Sequence, residues 1–373
     1  MSAIEPVALP GGAKLHPIPL HPLLELASGA YVPDPDSPAF ASPLVPPEVA
    51  RQFADISPLA YTVQRQRAGN VVANSERLRM REAPWGYRAK QYAGRICWIV
   101  GSGPSAHRAP ELIRRSMADR PPAALALERA DHVLQRVVED RGPCVIALNS
   151  AAEVIADLEL PIWWMIGDDF GGSGTVQGQA EMLREREAWA AVADRVARRA
   201  AGATALLPTF VAHEIAAAFS SAGGAIHWWN LTFGGLHGSA YEEMLHPTIR
   251  QSIPRFIFVR TIASAALHAA YWLGFHEIRL VGCEMCAPLD GAWYAREPAG
   301  VELGRRVWSP GNAVRGDSER TTTDTVDGRE VRTYDYWLAA REQIEAIAAF
   351  IGWAGVKVVD YSGGLRMRHM EQV

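Results

Sequence analysis

The chain has 373 residues, 49% of them apolar and 21% charged, with a formal net charge of −4. That is enough chain for one large α/β domain with an extension, or for two domains, and the acidic balance argues against a general nucleic-acid surface, which would be basic. No apolar run approaches the ~20 residues that span a bilayer and no secretory leader pattern opens the sequence, so no membrane span and a cytoplasmic, reducing setting are expected.

The first 58 residues hold 12 of the 25 prolines, in segments such as His16-Pro17-Ile18-Pro19-Leu20-His21-Pro22. Proline fixes φ and removes a donor, so regular helix or sheet is not expected there. Leu20, Leu23, Leu24 and Leu26 are too apolar for a free tail. Residues 1–58 therefore read as an irregular, proline-rich extended arm that wraps the domain or a neighbouring copy, the expected contact of a homo-oligomer. Residues 59–94 read as a helical lead-in, broken by Gly69 and by Pro84-Trp85-Gly86.

From residue 95 to 373, strands alternate with helices. The apolar runs at 95–100, 144–148, 161–166, 204–207, 225–229, 277–282 and 356–361 predict strands. Several are continuous, as in a parallel sheet covered on both faces. Helical patterns fall at 110–119, 123–140, 150–157, 177–200, 210–222, 261–273 and 335–354. This order predicts an α/β fold with a doubly wound, mostly parallel sheet and ligands at the carboxyl ends of its strands. The stretch 286–332 is rich in Gly, Pro, Asp, Thr and Arg without clear periodicity, and reads as a long functional loop or lid.

The first apolar strand runs straight into Gly101-Ser102-Gly103-Pro104-Ser105. Without Cβ atoms, Gly101 and Gly103 let backbone amides approach a ligand, and the helix that follows adds partial positive charge from its N-terminus. The pattern fits a phosphate site, although it lacks the third glycine of the dinucleotide fingerprint and the Lys-Ser/Thr of a Walker loop. A tight strand-to-helix turn without ligand is the alternative.

Three further strand ends carry polar residues: Asn149-Ser150, Gly167-Asp168-Asp169-Phe170 and Gly282-Cys283-Glu284-Met285. In a parallel sheet they face one crevice, so an amide nest, a side-chain amide and three carboxylates would converge. Asn149-Ser150 would alternatively cap the helix starting near Ala151, and one of Asp168 and Asp169 would be a loop or capping residue. Glu284 follows an apolar strand and is costly to bury unpaired, so a ligand, a metal or an arginine must satisfy it. Arg260, just before Thr261 at a helix start, would be that arginine or a phosphate clamp.

Other chemistries have weak support. Lys14, Lys90 and Lys357 are the only lysines, which leaves a lysine mechanism almost without candidates. Cys283 and Cys286 form a single C-x-x-C with no second ligand pair nearby, so zinc is not expected. No G-x-S-x-G elbow marks a serine hydrolase. His237, in a glycine-rich loop, is a general base or simply a loop histidine.

The segments Ile99 to Ser105, Ala147-Leu148-Asn149, Gly167-Asp168-Asp169 and Thr261 through Glu284, with Asp327 to Thr333 and Val358 to Leu365, resemble one family in order and spacing. It contains the archaeal MptE-type 6-hydroxymethylpterin diphosphokinases and the Maf motility-associated flagellin glycosyltransferases. The Cst-type bacterial sialyltransferases are similar more distantly. The resemblance covers about residues 70–366 and implies a Rossmann-like nucleotide-binding core that transfers a group from a nucleotide. In the sugar-transferring branch the donor would be a CMP-activated nonulosonic acid and the acceptor a hydroxyl of a glycan, a protein Ser/Thr or a small alcohol. Carried over by position, Gly101, Ser102, Gly103, Pro104, Ser105 and Asn149 would contact the nucleotide. Asp168, Thr261, Glu284 and Tyr294 would line the donor site, and Thr333 would sit near the reacting group. Asp168 or Asp169 would take the acceptor proton, and Arg260 or Arg332 would stabilise the leaving phosphate. The diphosphokinase branch would instead use ATP, with Mg²⁺ on Asp168 and Glu284. A non-catalytic nucleotide-binding or assembly protein, with the N-terminal arm as its interaction element, is the third reading. Two departures stand out: the family commonly has Asp where this chain has Glu284, and Arg332-Thr333-Tyr334-Asp335 lacks the histidine base of the Cst-type enzymes.

Overall fold

In the computed structural model the described residues are 7–8, 14–15, 70, 73–74, 92, 95–118, 144–155, 158, 162–167, 179–199, 203–231, 255–256, 261–288 and 321–373. The apolar runs form strands where their pattern predicts them: Ile96–Val100 (β1), Cys144–Leu148 (β2), Ile162–Met165 (β3), Thr204–Pro208 (β4), Ala225–Leu231 (β5), Glu277–Val281 (β7) and Lys357–Asp360 (β11). Every residue of β2, β3 and β4 is buried, as continuous runs in a covered sheet require. Two-residue strands at Arg255–Phe256 (β6) and Glu371–Gln372 (β12) complete the edges.

These nine strands form one sheet in the order β12-β11-β7-β1-β2-β3-β4-β5-β6. Every pairing is parallel, with Val100 beside Val281 on one side and Ala147 on the other. The chain leaves β1 toward β2, and leaves β7, the opposite neighbour, toward β11. The sheet therefore reverses direction between β1 and β7, and in open α/β sheets the crevice outside such a reversal is where ligands bind.

The helices match their patterns within a few residues: Ala109–Ala118 (α1), Ala151–Ile155 (α2), Gln179–Arg199 (α3), His213–Ser221 (α4), Ile262–Leu273 (α5) and Asp335–Trp353 (α6). The boundaries of α5 follow from its caps. Thr261 Oγ1 accepts the Ala263 N–H, and Gly274 at φ 93° takes the left-handed position that ends the helix. α5 lies against β1 and β2 and is covered by α6, which buries almost all of its apolar residues. No helix of the described residues is long and apolar enough to cross a membrane.

Two observations revise the expected organisation. The predicted loop at 286–332 contains regular structure at both of its ends. Ala287–Pro288 (β8), Thr321–Val326 (β9) and Arg329–Tyr334 (β10) form an antiparallel sheet in the order β8-β10-β9. Asp327 and Gly328, at φ 49° and 76°, make the tight turn between β9 and β10.

The lead-in is also tied into the domain. Asn74 Nδ2 donates to the carbonyls of Thr209 and Val211 at 3.1 and 2.9 Å, and Asn70 Nδ2 to that of Phe210 at 2.9 Å. Tyr92 stacks on Phe275 at 5.0 Å. A short antiparallel pairing joins Val7–Ala8 to Lys14–Leu15. The rest of the arm, the predicted helix at 123–140 and most of the lead-in lie outside the described residues.

Candidate functional site

The site forms where the carboxyl ends of five adjacent strands are laced together. β7 approaches β1 so closely that the Gly101 N–H donates to Val281 O at 2.8 Å and the Gly103 N–H to Gly282 O at 2.9 Å. A Cβ on Gly101 would lie 2.1 Å from Gly282 O, and one on Gly282 would lie 2.3 Å from Gly101 O. Gly282 also sits at φ 74°, a region glycine enters without strain. These glycines serve the contact between two backbones.

The expected phosphate nest is therefore corrected. Of the turn's amides, those of Gly101 and Gly103 are used by β7, and Pro104 has none. The Ser105 N–H donates to Glu284 Oε1, and Ser105 Oγ accepts the Gly282 N–H at 2.9 Å. The group held by the turn is the protein's own Glu284 carboxyl. Gly103 makes room for it, because a Cβ there would lie 1.8 Å from Glu284 Oε2. The partner that the sequence demanded for Glu284 is thus an amide N–H.

Glu284 is only 7% exposed, and its Oε2 has no hydrogen-bond partner. Burial pushes its carboxyl above the ordinary range, against the lowering effect of Ser105, with the Asp360 charge raising it further. Asp360, at the end of β11, is buried and also raised by desolvation; its Oδ1 accepts the Ser362 N–H at 2.8 Å. Ser362 Oγ in turn accepts the Cys283 N–H at 3.0 Å. Gly364 packs against Glu284 itself, since a Cβ there would meet its Cα at 2.4 Å. Asp360, Ser362 and Gly364 belong to the segment that carries the resemblance, but the sequence reading gives them no place in the site. Their signal was a strand ending in a carboxylate followed by a small-residue turn.

On the other side of β1, Ser102 Oγ donates to Leu148 O at 3.1 Å and accepts from Ser150 Oγ at 3.0 Å. Asn149, at φ 47°, turns its Oδ1 to the Gly167 N–H at 3.3 Å, and its carbonyl accepts the Trp164 indole N–H at 2.8 Å. The Asn149 and Ser150 side chains thus cross-link strand ends, unlike the alternative reading in which they cap α2. Gly167 in turn packs on Ile262, the first residue of α5, where a Cβ would fall 2.7 Å from its side chain.

The structure thus brings Gly101 to Ser105, Asn149 and Glu284 to one rim, with Thr261 beside Gly167 at the start of α5. Thr333 is fully buried on β10, where its Oγ1 donates to Met285 O at 2.7 Å. Arg332 is half-buried on the same strand, paired in register with Ala287. Asp168, Asp169, Arg260, Tyr294 and His237 lie outside the described residues. Among the described residues no three His, Cys, Asp or Glu side chains come together as a metal set. Burial also raises the thiols of the C-x-x-C, Cys286 to about 11 and Cys283 well above its usual value.

No family model, no curated protein and no solved structure matches this chain.

Proposed function

We propose that this protein is a nucleotide-dependent transferase with a Rossmann-like, doubly wound core, and that it moves a nonulosonic-acid-type sugar from a CMP-activated donor to a hydroxyl acceptor. The observation that carries the reading is Glu284, a buried carboxyl at the reversal of the sheet whose Oε2 has no partner. A buried polar atom without a bond costs free energy that a ligand would recover.

In this reading the nucleotide lies along the rim of Ser102, Asn149, Ser150 and Glu284. Its phosphate sits outside the Gly101–Ser105 turn, because the carboxyl of Glu284 already fills that turn. Asp168, next in sequence to Gly167, or Asp169 takes the acceptor proton. Arg260 or Arg332 offsets the charge that grows on the leaving phosphate.

The diphosphokinase alternative asks Glu284 to ligate Mg²⁺. A hard cation prefers ionised, accessible oxygens in octahedral geometry. Glu284 instead is buried and has one oxygen tied to an amide. This favours the sugar-transfer reading.

A thermal-shift panel of CMP, CDP, UDP, ATP and GTP, each with and without Mg²⁺, tests the proposal. Stabilisation by CMP without metal is the expected result. ATP acting only with Mg²⁺ would replace sugar transfer by the diphosphokinase reading. No stabilisation by any nucleotide would leave the non-catalytic assembly reading.

A further inference from the structure

Cys283, Glu284 and Met285 are each held by a hydrogen bond to a backbone group. The Cys283 N–H is held by Ser362 Oγ at 3.0 Å, the Glu284 carbonyl by the Leu365 N–H at 3.0 Å, and the Met285 carbonyl by Thr333 Oγ1 at 2.7 Å. The first two grips come from the loop after β11, on the main sheet. The third comes from β10, in the separate antiparallel sheet.

Met285 is at φ 53°, in the left-handed region. For a residue with a Cβ this costs on the order of 1 kcal/mol or more, and it persists only where the surroundings over-determine it. Thr333 holds the peptide that follows Met285, and the Leu365 N–H holds the one that precedes it. Thr333 is 0% exposed, so its hydroxyl has no water to bond and is committed to the Met285 carbonyl. The register of β10 fixes where the hydroxyl stands, with Arg332 opposite Ala287 and Thr333 opposite Thr322.

We infer that Thr333 is a positioning residue: by holding the Met285 carbonyl, its hydroxyl keeps Glu284 turned into the Gly101–Ser105 loop. This gives Thr333 a role behind the site, where the resemblance would place it beside the reacting group. Without the hydroxyl, Met285 relaxes out of the left-handed region and the peptide that carries Glu284 rotates. The Ser105 amide then loses its acceptor. The inference rests on the proposal that Glu284 faces the ligand, but its first consequence can be read without any ligand.

The test follows the Ser105 amide by ¹H–¹⁵N NMR in the full chain carrying ¹⁵N-serine. In Thr333→Val, which keeps the shape and removes the hydroxyl, the Ser105 resonance moves upfield and exchanges about tenfold faster, as expected for loss of one ordinary hydrogen bond. In Thr333→Ser both return to wild-type values. A folded Thr333→Val protein with an unchanged Ser105 amide overturns the inference. Thr333→Ala serves if the valine does not fold, with the same expected change and the same overturning result. Binding of CMP is measured in parallel. If CMP does not bind the wild type while the Ser105 signal responds as described, the positioning role stands and the transferase reading falls. If CMP binds, Thr333→Val weakens it about tenfold and Thr333→Ser restores it, whereas unchanged affinity limits Thr333 to a structural role and overturns the inference.

Discussion

The Glu284 carboxyl accepts the amide N–H of Ser105 across the seam between β1 and β7. The two residues are 179 positions apart in sequence, and the contact occurs where the strand order reverses. A turn that offers its amides outward would be an open anion site, whereas this one is closed by an acid from the neighbouring strand. Whatever binds at this rim meets a carboxyl with one committed and one uncommitted oxygen.

Close approach at this seam makes its glycines unequal. In Gly101→Ala the new methyl meets the backbone carbonyl of Gly282 at 2.1 Å, and backbone has nowhere to yield. In Gly103→Ala it meets the Glu284 carboxyl at 1.8 Å, the end of a side chain that can turn away, and the Gly282 carbonyl only at 2.8 Å. Urea unfolding should show both variants destabilised, Gly103→Ala by about 1–3 kcal/mol and Gly101→Ala by more. Gly103→Ala should also release Glu284 and weaken CMP binding.

The contribution of Glu284 and Asp360 to stability should fall as pH rises above the range in which unfolded carboxyls ionise. Glu284 and Asp360 keep their protons to higher pH in the folded protein than in the unfolded chain, because burial opposes their charged forms. Unfolded carboxyls ionise near pH 4. Between there and the raised folded values the folded state binds more protons, so the contribution present below that window is lost across it. Urea midpoints measured against pH should show this decline. Glu284→Gln, which keeps an acceptor for the Ser105 amide, should make it shallower and raise the midpoint at neutral pH.

The lead-in should prove inseparable from the domain. Asn74 is 0% exposed and bonds two carbonyls of the turn that follows β4. Asn74→Ala leaves both carbonyls without this donor and should cost about 2 kcal/mol, read by urea unfolding. A chain beginning at Arg95 loses Asn70, Asn74 and Tyr92 together and should be far less stable than the full chain.

The buried Glu153 pairs with a part-exposed Arg195, with contacts of 2.9 and 2.6 Å from Nε and Nη2 to one carboxylate oxygen. Arg195→Met strands the acid, whose other oxygen already has no partner, and should cost about 2 kcal/mol. Losing both charges in Glu153→Gln with Arg195→Met should cost less than the single arginine change. A double-mutant cycle in urea decides this.

Much of the fold is legible in the sequence because the buried strands are continuous apolar runs. Cys144 to Leu148 and Ile162 to Met165 have few alternatives as half-exposed elements. The small sheet was harder to see. Its β9 strand, Thr321 to Val326, is polar and alternates without an apolar face, although Asp327-Gly328 between two β-forming runs was an available hairpin signal. Their positions just after apolar strands place Asn149 and Glu284 on one rim of the sheet. The sequence could not show how the amides of the Gly101 turn would be used, because that depends on how closely β7 approaches β1. Nor could it assign Ser362, which acts through a hydrogen bond to a peptide 79 residues away.

The central claim is that a nucleotide binds at the rim joining Ser102, Asn149 and Glu284. Titrating CMP into the ¹⁵N-labelled chain tests it most directly. The account predicts that the amide signals of Ser102, Ser105, Asn149 and Glu284 shift together on one saturating curve, and that Glu284→Gln alters that curve. Saturation by CMP with these four signals unmoved, or no response to any nucleotide, would contradict it.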